Sequence, residues 1–368
     1  MDFLFLVAKL FIEACALVYF ILVLVYWIAW ERIPEFLPAT GENKTFVSVI
    51  IAARNEEKNI GQCLEKLVNQ NYLSHLFEII IVNDFSKDNT SLVVSDFIAQ
   101  QKNVKISLLN LAGMPDATGG KKEAVALAVN QAKGDLILTT DADCTMKQNW
   151  LKTFADWYEQ NGSYLISGPV KFEHTGNILK IWSAIQALEF MSLIGTGAAA
   201  VRAGYPLMCN AANLAFKKEI FLEVATNTKN ETASGDDTFL MFAIHQKYPD
   251  KISFLKSKEA IVTTQSQPSL KEFLNQRKRW ASKVKQYTRN YVKWIGVFLF
   301  VFNICIAGLV IMFFIKGVYA DILLPVILSK TLVDFVFLSR LSQFFGQRKL
   351  LLFFPLAEVL HVLYIVII

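Results

Sequence analysis

Two aspartates separated by one residue, Asp141 and Asp143, are the first candidates for chemistry in this chain. They lie near the end of residues 134–144, GDLILTTDADC, where a short apolar run is followed by two threonines and then by the aspartates. Two carboxylates this close repel each other unless a cation joins them, and Mg²⁺ and Mn²⁺ prefer oxygen ligands together with the phosphates of a substrate. We therefore expect the pair to bind Mn²⁺ or Mg²⁺. On the triplet alone, an aspartate that caps the next helix is the commoner structure.

The elements that must position this pair are apolar strands that alternate with helices. Strands are predicted over residues 46–52, 77–82, 104–109 and 135–140, and helices over residues 58–69 and 121–132. Short apolar runs separated by helices predict an α/β fold with a mostly parallel sheet and helices on both faces. Three polar stretches follow strands: RNEE (54–57), NDFS (83–86) and DAD (141–143). Because ligands bind beyond the carboxyl ends of such strands, we expect these stretches to line one crevice.

Several ligand classes lack their sequence signature here. No GxGxxG follows the first strand and no GxxxxGK[ST] occurs, so neither fingerprint of phosphate binding by a glycine-rich loop is found. The net charge of +5 is mild and no dense basic tract is interleaved with aromatic residues, so we expect no nucleic-acid partner. The five cysteines show neither CxxC nor metal-ligand spacing, which is typical of free thiols in a reducing compartment.

The chain is more apolar than an ordinary soluble enzyme, with 54% hydrophobic residues. Residues 14–30 carry no charge and end in tryptophans, which predicts an uncleaved transmembrane anchor. Residues 294–315 form a second clear span, and residues 318–338 and 350–368 form two weaker ones. The weaker spans contain ionisable residues that we expect to face other helices: Asp321, Lys330, Asp334, Glu358 and His361.

These spans divide the chain into an N-terminal anchor (1–30), a globular domain (31–292) and a C-terminal transmembrane region (293–368) of about three helices. With four spans, most lysines and arginines that flank them lie on one face, which marks that face as cytoplasmic. We therefore expect a multi-pass protein of the plasma or inner membrane with a cytoplasmic globular domain. Within that domain, the apolar residues 178–200 predict either an interfacial helix pair or plain core.

In combination, six motifs resemble the family 2 inverting glycosyltransferases. In chain order they are VSVIIAARNEEKNI, IIIVNDFSKDNT, GKKEAVALAVNQAKGDLILTTDADC, NAANLAF, SGDDTFL and QRKRW, which together cover residues 46–285. The last motif is similar to the QxxRW pattern of the membrane-bound branch. That branch includes cellulose, hyaluronan and poly-N-acetylglucosamine synthases and ceramide glucosyltransferases. The resemblance implies a GT-A fold and a nucleotide-diphosphate sugar donor, usually a UDP-sugar.

The resemblance also implies roles for residues of the donor site. Asp84 matches the aspartate that contacts the base or ribose, and Glu56 matches another nucleotide-pocket position. Asn83 and Phe85 depart from the pattern, since many relatives have aspartate and glycine at these two positions.

A basic residue and the acidic pair complete the implied donor site. Lys121 matches the basic residue of the GKxxA segment, where a cation beside the donor is electrostatically favourable. A solvated lysine at a helix start is the alternative. Asp141 and Asp143 match the pair that holds the metal ion. Asp141 is also expected to bind the sugar donor.

Two further motifs supply the residues that would act on the acceptor. In SGDDTFL, Asp236 and Asp237 align with the family's acidic pair, whose second member is the catalytic base; a helix N-cap is the alternative. In QRKRW, the resemblance places Gln276, Arg279 and Trp280 at the diphosphate and the acceptor. Arg279 would offset charge on the departing diphosphate, and Trp280 would offer a flat face to a sugar or lipid head group.

We therefore predict an inverting hexosyltransferase that moves a sugar to a membrane lipid acceptor at the cytoplasmic leaflet. A processive polysaccharide synthase is the first alternative, although such enzymes usually have more transmembrane helices. The second alternative is an inactive, membrane-bound sugar-nucleotide binding protein. The intact DAD, GDD and QxxRW motifs argue against it.

Overall fold

A computed structural model of the chain divides into two compact units. The helical unit comprises Met1–Arg32, His174–Ala199 and Ser266–Ile368, and the sheet unit comprises Ile33–Glu173 and Ala200–Gln265. The structure describes residues 3–41, 43–114, 117–173, 181–227, 237–284 and 286–367.

The sheet unit is built on ten strands within these described residues. They are β1 (Val47–Ala53), β2 (Phe77–Asn83), β3 (Lys105–Asn110), β4 (Leu136–Asp141), β5 (Thr145–Met146), β6 (Leu165–Ser167), β7 (Val170–Phe172), β8 (Leu214–Lys217), β9 (Ile252–Phe254) and β10 (Val262–Thr264). Seven of them form one sheet in the order β3-β2-β1-β4-β8-β6-β9, and the other three form a small sheet in the order β5-β10-β7. The neighbours β3, β2, β1 and β4 are all parallel, whereas β8 is antiparallel to β4 and β6. The predicted α/β fold with a mostly parallel sheet is confirmed.

Helices cross between the parallel strands, because parallel neighbours cannot be joined by a tight turn. The helices of this unit are α2 (Ile60–Val68), α3 (Thr90–Gln100), α4 (Lys121–Gln131), α5 (Trp150–Asn161), α7 (Lys218–Asn227) and α8 (Asp237–Lys247). Helix α2 buries the apolar side chains of Ile60, Leu64 and Leu67. Strand β2, FEIIIVN, is buried along its whole length, as expected for a strand covered on both faces. The predicted strand bounds differ from the observed ones by one residue.

The register of the sheet brings the carboxyl ends of the central strands to one edge. Ala53 at the end of β1 lies opposite Asn83 at the end of β2, and Ala52 lies opposite Asp141 at the end of β4. The stretches RNEE, NDFS and DAD begin at or directly after the last residues of these strands. They therefore lie at the same edge of the sheet, as the sequence predicted.

The turns after β1 and β2 are tied to each other. The backbone N–H of Asn55 donates to the Ser86 Oγ (3.0 Å), and the Asn55 side-chain oxygen accepts from the N–H of Lys87 (2.8 Å). Asn55 and Phe85 both have left-handed backbone conformations, with φ of 58° and 51°. This conformation is uncommon for a bulky residue such as phenylalanine and marks a constrained turn.

Helices, most of them long and apolar, make up most of the helical unit. They are α1 (Phe3–Glu31), α6 (Ile181–Arg202), α9 (Leu270–Val284), α10 (Asn290–Lys316), α11 (Ala320–Phe344) and α12 (Phe354–Ile367), of which α6 ends in the sheet unit. Among the described residues, five segments are long and apolar enough to cross a membrane. Four of them correspond to the predicted spans, and the fifth is Ile181–Arg202. A single helix occupies the described part of the apolar stretch 178–200, where a helix pair was one of the two predictions.

Helix α6 packs closely against α11 at Gly195. A Cβ atom added at Gly195 would lie 2.4 Å from a methyl carbon of Leu341 on α11, so the two helices approach where only glycine fits. Most residues of α6 are buried.

Ionisable residues within the apolar helices contact other helices, as predicted. The Lys330 ammonium on α11 donates to Asp334 (2.8 Å) and pairs closely with Glu358 of α12. The Tyr19 hydroxyl of α1 donates to Asp334 (2.8 Å). A charge in an apolar environment is costly unless it is paired, so these contacts select one packing of α1, α11 and α12.

Candidate active site

The acidic pair of the DAD motif lies where β4 ends. Carboxylate oxygens of Asp141 and Asp143 and the thiol sulfur of Cys144 all lie within 4.8 Å of one another. The Thr264 hydroxyl on β10 donates to Asp143 Oδ2 (2.8 Å), so the small sheet fixes the direction of this carboxylate. The sequence places the two aspartates next to each other, whereas Thr264 is brought to them from more than a hundred positions along the chain.

The electrostatics of this cluster favour a cation. Burial, and then the charge of Asp141, raise the pKa of Asp143. Burial also raises the pKa of Glu56, and Asp143 and Asp141 raise it further, while a hydrogen bond from Asn59 partly offsets these effects. The neighbouring negative charge that raises the pKa of Asp143 and Glu56 would be offset by a divalent metal ion, which prefers oxygen ligands. Asp141 and Asp143 are therefore suitable ligands for Mn²⁺ or Mg²⁺. The charges of both aspartates also act on Glu56.

Lys121, the first residue of α4, lies at the same edge of the sheet. Its ammonium group forms a close ion pair with Asp141 Oδ1. Burial would lower the pKa of Lys121, but the charge of Asp141, its hydrogen bond with Lys121 and the charge of Asp237 outweigh this effect and raise the pKa. Lys121 is thus affected by the charges of both Asp141, the predicted metal and donor ligand, and Asp237, the predicted base.

A glycine pair before Lys121 connects this cluster to Asp84. The N–H of Gly120 donates to Asp84 Oδ1 (2.8 Å), and Arg54 approaches Asp84 Oδ2 (3.9 Å). Gly119 has a φ of 82°, and a Cβ atom there would lie 2.9 Å from Asp84 Oδ1. The close approach therefore requires glycine. Sequence reasoning missed this role, although the two glycines stand directly before the lysine that it identified.

Asp237 is the first residue of α8, and two backbone N–H groups orient its carboxylate. Its carboxylate accepts from the N–H of Ala211 (2.9 Å) and from the N–H of Thr238 (2.8 Å). The carbonyl oxygen of Ala211 in turn accepts from the hydroxyl of Thr139 on β4 (2.7 Å). The NAANLAF and SGDDTFL motifs are thus joined to the DAD strand. Asp236, the other member of the acidic pair, lies outside the described residues.

Asn213, in the same NAANLAF motif, has a structural role. Its amide nitrogen donates to the carbonyl oxygens of Pro169 and Ala260 (both 2.8 Å), and its oxygen accepts from the Trp150 indole (2.9 Å). The side chain is fully buried, and a buried amide of this kind must be hydrogen-bonded. Asn213 therefore ties together the segments that carry the site.

The three residues predicted from QRKRW lie on α9 of the helical unit. Gln276 and Trp280 are partly buried, and Arg279 is exposed. Gln276 accepts a hydrogen bond from Arg277 (2.6 Å), a buried residue of the motif that sequence reasoning had not selected. The sheet unit itself brings together the other predicted residues, among those described: Glu56, Asp84, Lys121, Asp141, Asp143 and Asp237.

Curated proteins similar to this chain are glycosyltransferases that match it over part of their length. Glycosyltransferase AglE of Haloferax volcanii is 30% identical over 129 residues, which is 35% of this chain and 40% of AglE. The beta-monoglucosyldiacylglycerol synthase of Trichormus variabilis is 30% identical over 106 residues, which is 29% of this chain and 22% of that protein. The chain therefore covers less than half of the length of each of these relatives.

A solved structure resembles the whole chain. The mannosyltransferase PcManGT from Pyrobaculum calidifontis, in complex with GDP-Man and Mn²⁺, has a TM-score of 0.63 and is 17% identical to this chain. The similarity covers 96% of this chain and 99% of that one, and supports the predicted GT-A fold. Residues 48–224 match the family described as Glycosyl transferase family 2. This match contains the strand ends, the lysine and the acidic pair described above, and it shows that residues 48–224 form a Glycosyl transferase family 2 domain.

Proposed function

We propose that this protein is a divalent-cation-dependent inverting hexosyltransferase. It would move a sugar from a nucleoside-diphosphate donor, with UDP as the expected nucleotide, to a lipid acceptor in the membrane. The observation that carries the proposal is the link between Asp237 and β4: Asp237 accepts from the N–H of Ala211, whose carbonyl oxygen accepts from Thr139, two residues before Asp141. A cation site for the diphosphate and a carboxylate for the acceptor would thus lie close together.

Asp237 is proposed as the general base. In an inverting transfer the acceptor oxygen displaces the nucleotide in one step, so the acceptor hydroxyl must lose its proton as it attacks. A carboxylate held in position can accept that proton. The N–H groups of Ala211 and Thr238 fix the orientation of Asp237 before the substrates bind.

Asp141 and Asp143 would hold the metal ion, with Thr264 directing Asp143. The bound cation would neutralise charge on the nucleotide diphosphate as it departs. Mn²⁺ and a nucleotide sugar in the complex of the similar mannosyltransferase support this assignment. Lys121 would add a second positive charge beside the diphosphate, and Asp84 would contact the base or ribose.

The acceptor is proposed to be a lipid because of the helices and one of the relatives. Five segments of the described chain are long and apolar enough to cross a membrane. The relative from Trichormus variabilis is named as a beta-monoglucosyldiacylglycerol synthase.

Incubation of the purified protein with nucleotide sugars and membrane lipids tests this proposal. Mass spectrometry should find a lipid that has gained one or a few hexose residues, in a reaction that requires the divalent cation. A long polysaccharide product would instead identify a processive synthase. Donor binding without any transferred sugar would identify a binding protein and contradict the proposal.

The proposal also places the sheet unit on the cytoplasmic side, because most positive charges that flank the four predicted spans lie on that face. Gln160 is exposed in the sheet unit, and Val318 is exposed between α10 and α11. A Gln160→Cys variant should escape a membrane-impermeant maleimide in intact cells and react after permeabilisation. A Val318→Cys variant should react in intact cells. The reverse pattern, measured in a background without the native cysteines, would contradict the orientation.

A further inference from the structure

Arg277 is a buried arginine within the QRKRW motif. Its side chain is only 5% exposed. The guanidinium carbon lies 4.5 Å from the centre of the Phe273 ring and 4.3 Å from that of Trp280, so the group is stacked between two aromatic rings. The neighbouring Arg279 is exposed on the same helix. A buried guanidinium needs a charged partner, because desolvation of an unpaired charge is very costly.

Glu189 on α6 is that partner. Arg277 Nε donates to Glu189 Oε1 (3.0 Å), and Arg277 Nη2 donates to the second carboxylate oxygen in a close contact. The Tyr364 hydroxyl of α12 also donates to Glu189 Oε1 (2.9 Å). The Glu189 side chain is 7% exposed. One buried carboxylate thus joins α6, α9 and α12, and the planar fork of the guanidinium fixes the geometry of the pair.

A third donor of Arg277 determines how Gln276 is oriented. Arg277 Nη1 donates to Gln276 Oε1 (2.6 Å). A guanidinium group has no acceptor, so the oxygen of the Gln276 amide must face it and the NH₂ group is turned away. An NH₂ group presented in this way suits an anionic oxygen, such as one of a diphosphate. Arg277 also covers one face of the Trp280 ring.

We propose that Glu189 and Arg277 are positioning residues for Gln276 and Trp280. Glu189 holds the guanidinium in place, and the guanidinium then sets the rotamer of the Gln276 amide and the plane of the Trp280 ring. This inference deepens the proposed function and rests on it, since Gln276 and Trp280 matter for transfer only if they contact the donor diphosphate and the acceptor. Neither Glu189 nor Arg277 needs to touch a substrate.

The placement of Trp280 can be measured without any enzymatic assay. The full-length protein, labelled with 5-fluorotryptophan, is examined by ¹⁹F NMR in detergent, and the Trp280 resonance is assigned from its loss in Trp280→Phe. In both Glu189→Gln and Arg277→Lys, the Trp280 resonance should shift or broaden, while those of Trp150 and Trp157 in the sheet unit stay in place. Arg277→Lys keeps the positive charge beside Glu189 but loses the fork and the ring stacking, so it tests the geometry if Glu189→Gln fails to fold. An unchanged Trp280 resonance in Arg277→Lys overturns the proposal.

A double-mutant cycle then tests whether Glu189 acts through Gln276. Glu189→Gln should lower the sugar transfer rate roughly 10- to 100-fold, the loss expected when a reacting group is displaced by about 1 Å. In a Gln276→Ala background the same change should cost several-fold less, because one of the two groups that Glu189 positions is already absent and only the loss through Trp280 remains. Losses that simply multiply would overturn positioning through Gln276. Glu223→Gln, which breaks an exposed ion pair with Lys247, is the matched control and should leave both readouts unchanged.

The two experiments separate this inference from the proposed function. If the wild-type protein transfers no sugar, the proposed function fails, while the Trp280 resonance still decides whether Glu189 and Arg277 position the motif. If transfer occurs and the Trp280 resonance does not respond, the proposed function stands and the positioning inference is wrong.

Discussion

Replacement of Asp237 by asparagine should lower the rate of sugar transfer by roughly 10²- to 10⁴-fold, the usual contribution of a general base. Asparagine has nearly the same shape, and its side-chain oxygen can still accept from the N–H of Ala211, so the local structure should persist. The amide cannot accept a proton from the acceptor hydroxyl. Affinity for the UDP-sugar should therefore barely change, which titration of donor binding to the purified variant would show.

The control for this variant is Asp250→Asn, which removes an exposed carboxylate of the same unit. Matched detergent-extraction and size-exclusion profiles would establish that all the variants are folded. If Asp237→Asn loses donor binding but transfers normally at saturating donor, Asp237 is a donor ligand and not the base. Asp236, its neighbour in the motif, would then be the next candidate.

Asp141→Asn and Asp143→Asn should each reduce transfer by more than about 100-fold, since a catalytic metal ion contributes several kcal/mol of charge stabilisation. In contrast to Asp237→Asn, these variants should also bind the UDP-sugar more weakly, because the diphosphate loses its cation. Donor titration therefore separates the two classes of variant even if none of them turns over at a measurable rate.

Removal of the metal ion should reproduce the effect of these variants in the wild-type protein. EDTA should abolish transfer, and Mn²⁺ or Mg²⁺ in excess should restore it. The Asp250→Asn control should respond to EDTA as the wild type does. Full transfer activity in EDTA would show that Asp141 and Asp143 do not act through a metal ion.

The sequence by itself determined the sheet and its functional edge. Strands β1, β2 and β4 are short, largely apolar segments, and such segments between helices form parallel strands. Because neighbouring parallel strands end on the same edge, the positions of Asp84 and Asp141 followed from the strand pattern alone. Lys121 was identified by the motif that precedes β4, and the structure places it against Asp141.

Contacts between distant segments were decided only by the tertiary structure. The donors to Asp237 and Asp143 include Ala211 and Thr264, which lie 26 and 121 positions away along the chain. The local sequence does not predict these hydrogen bonds, because contacts between distant segments depend on how the strands and helices pack.

The two arginines of QRKRW show that local sequence also fails to predict which side chain of one helix is buried. Arg277 and Arg279 have the same chemistry and are two positions apart, so they point in different directions from α9. The sequence resemblance selected Arg279, whereas the structure buries Arg277 against Glu189 of α6 and Tyr364 of α12. Local spacing determined that the two side chains would diverge. Only the packing of three helices decided which of them would be desolvated and paired, because burial depends on the neighbours that the fold supplies.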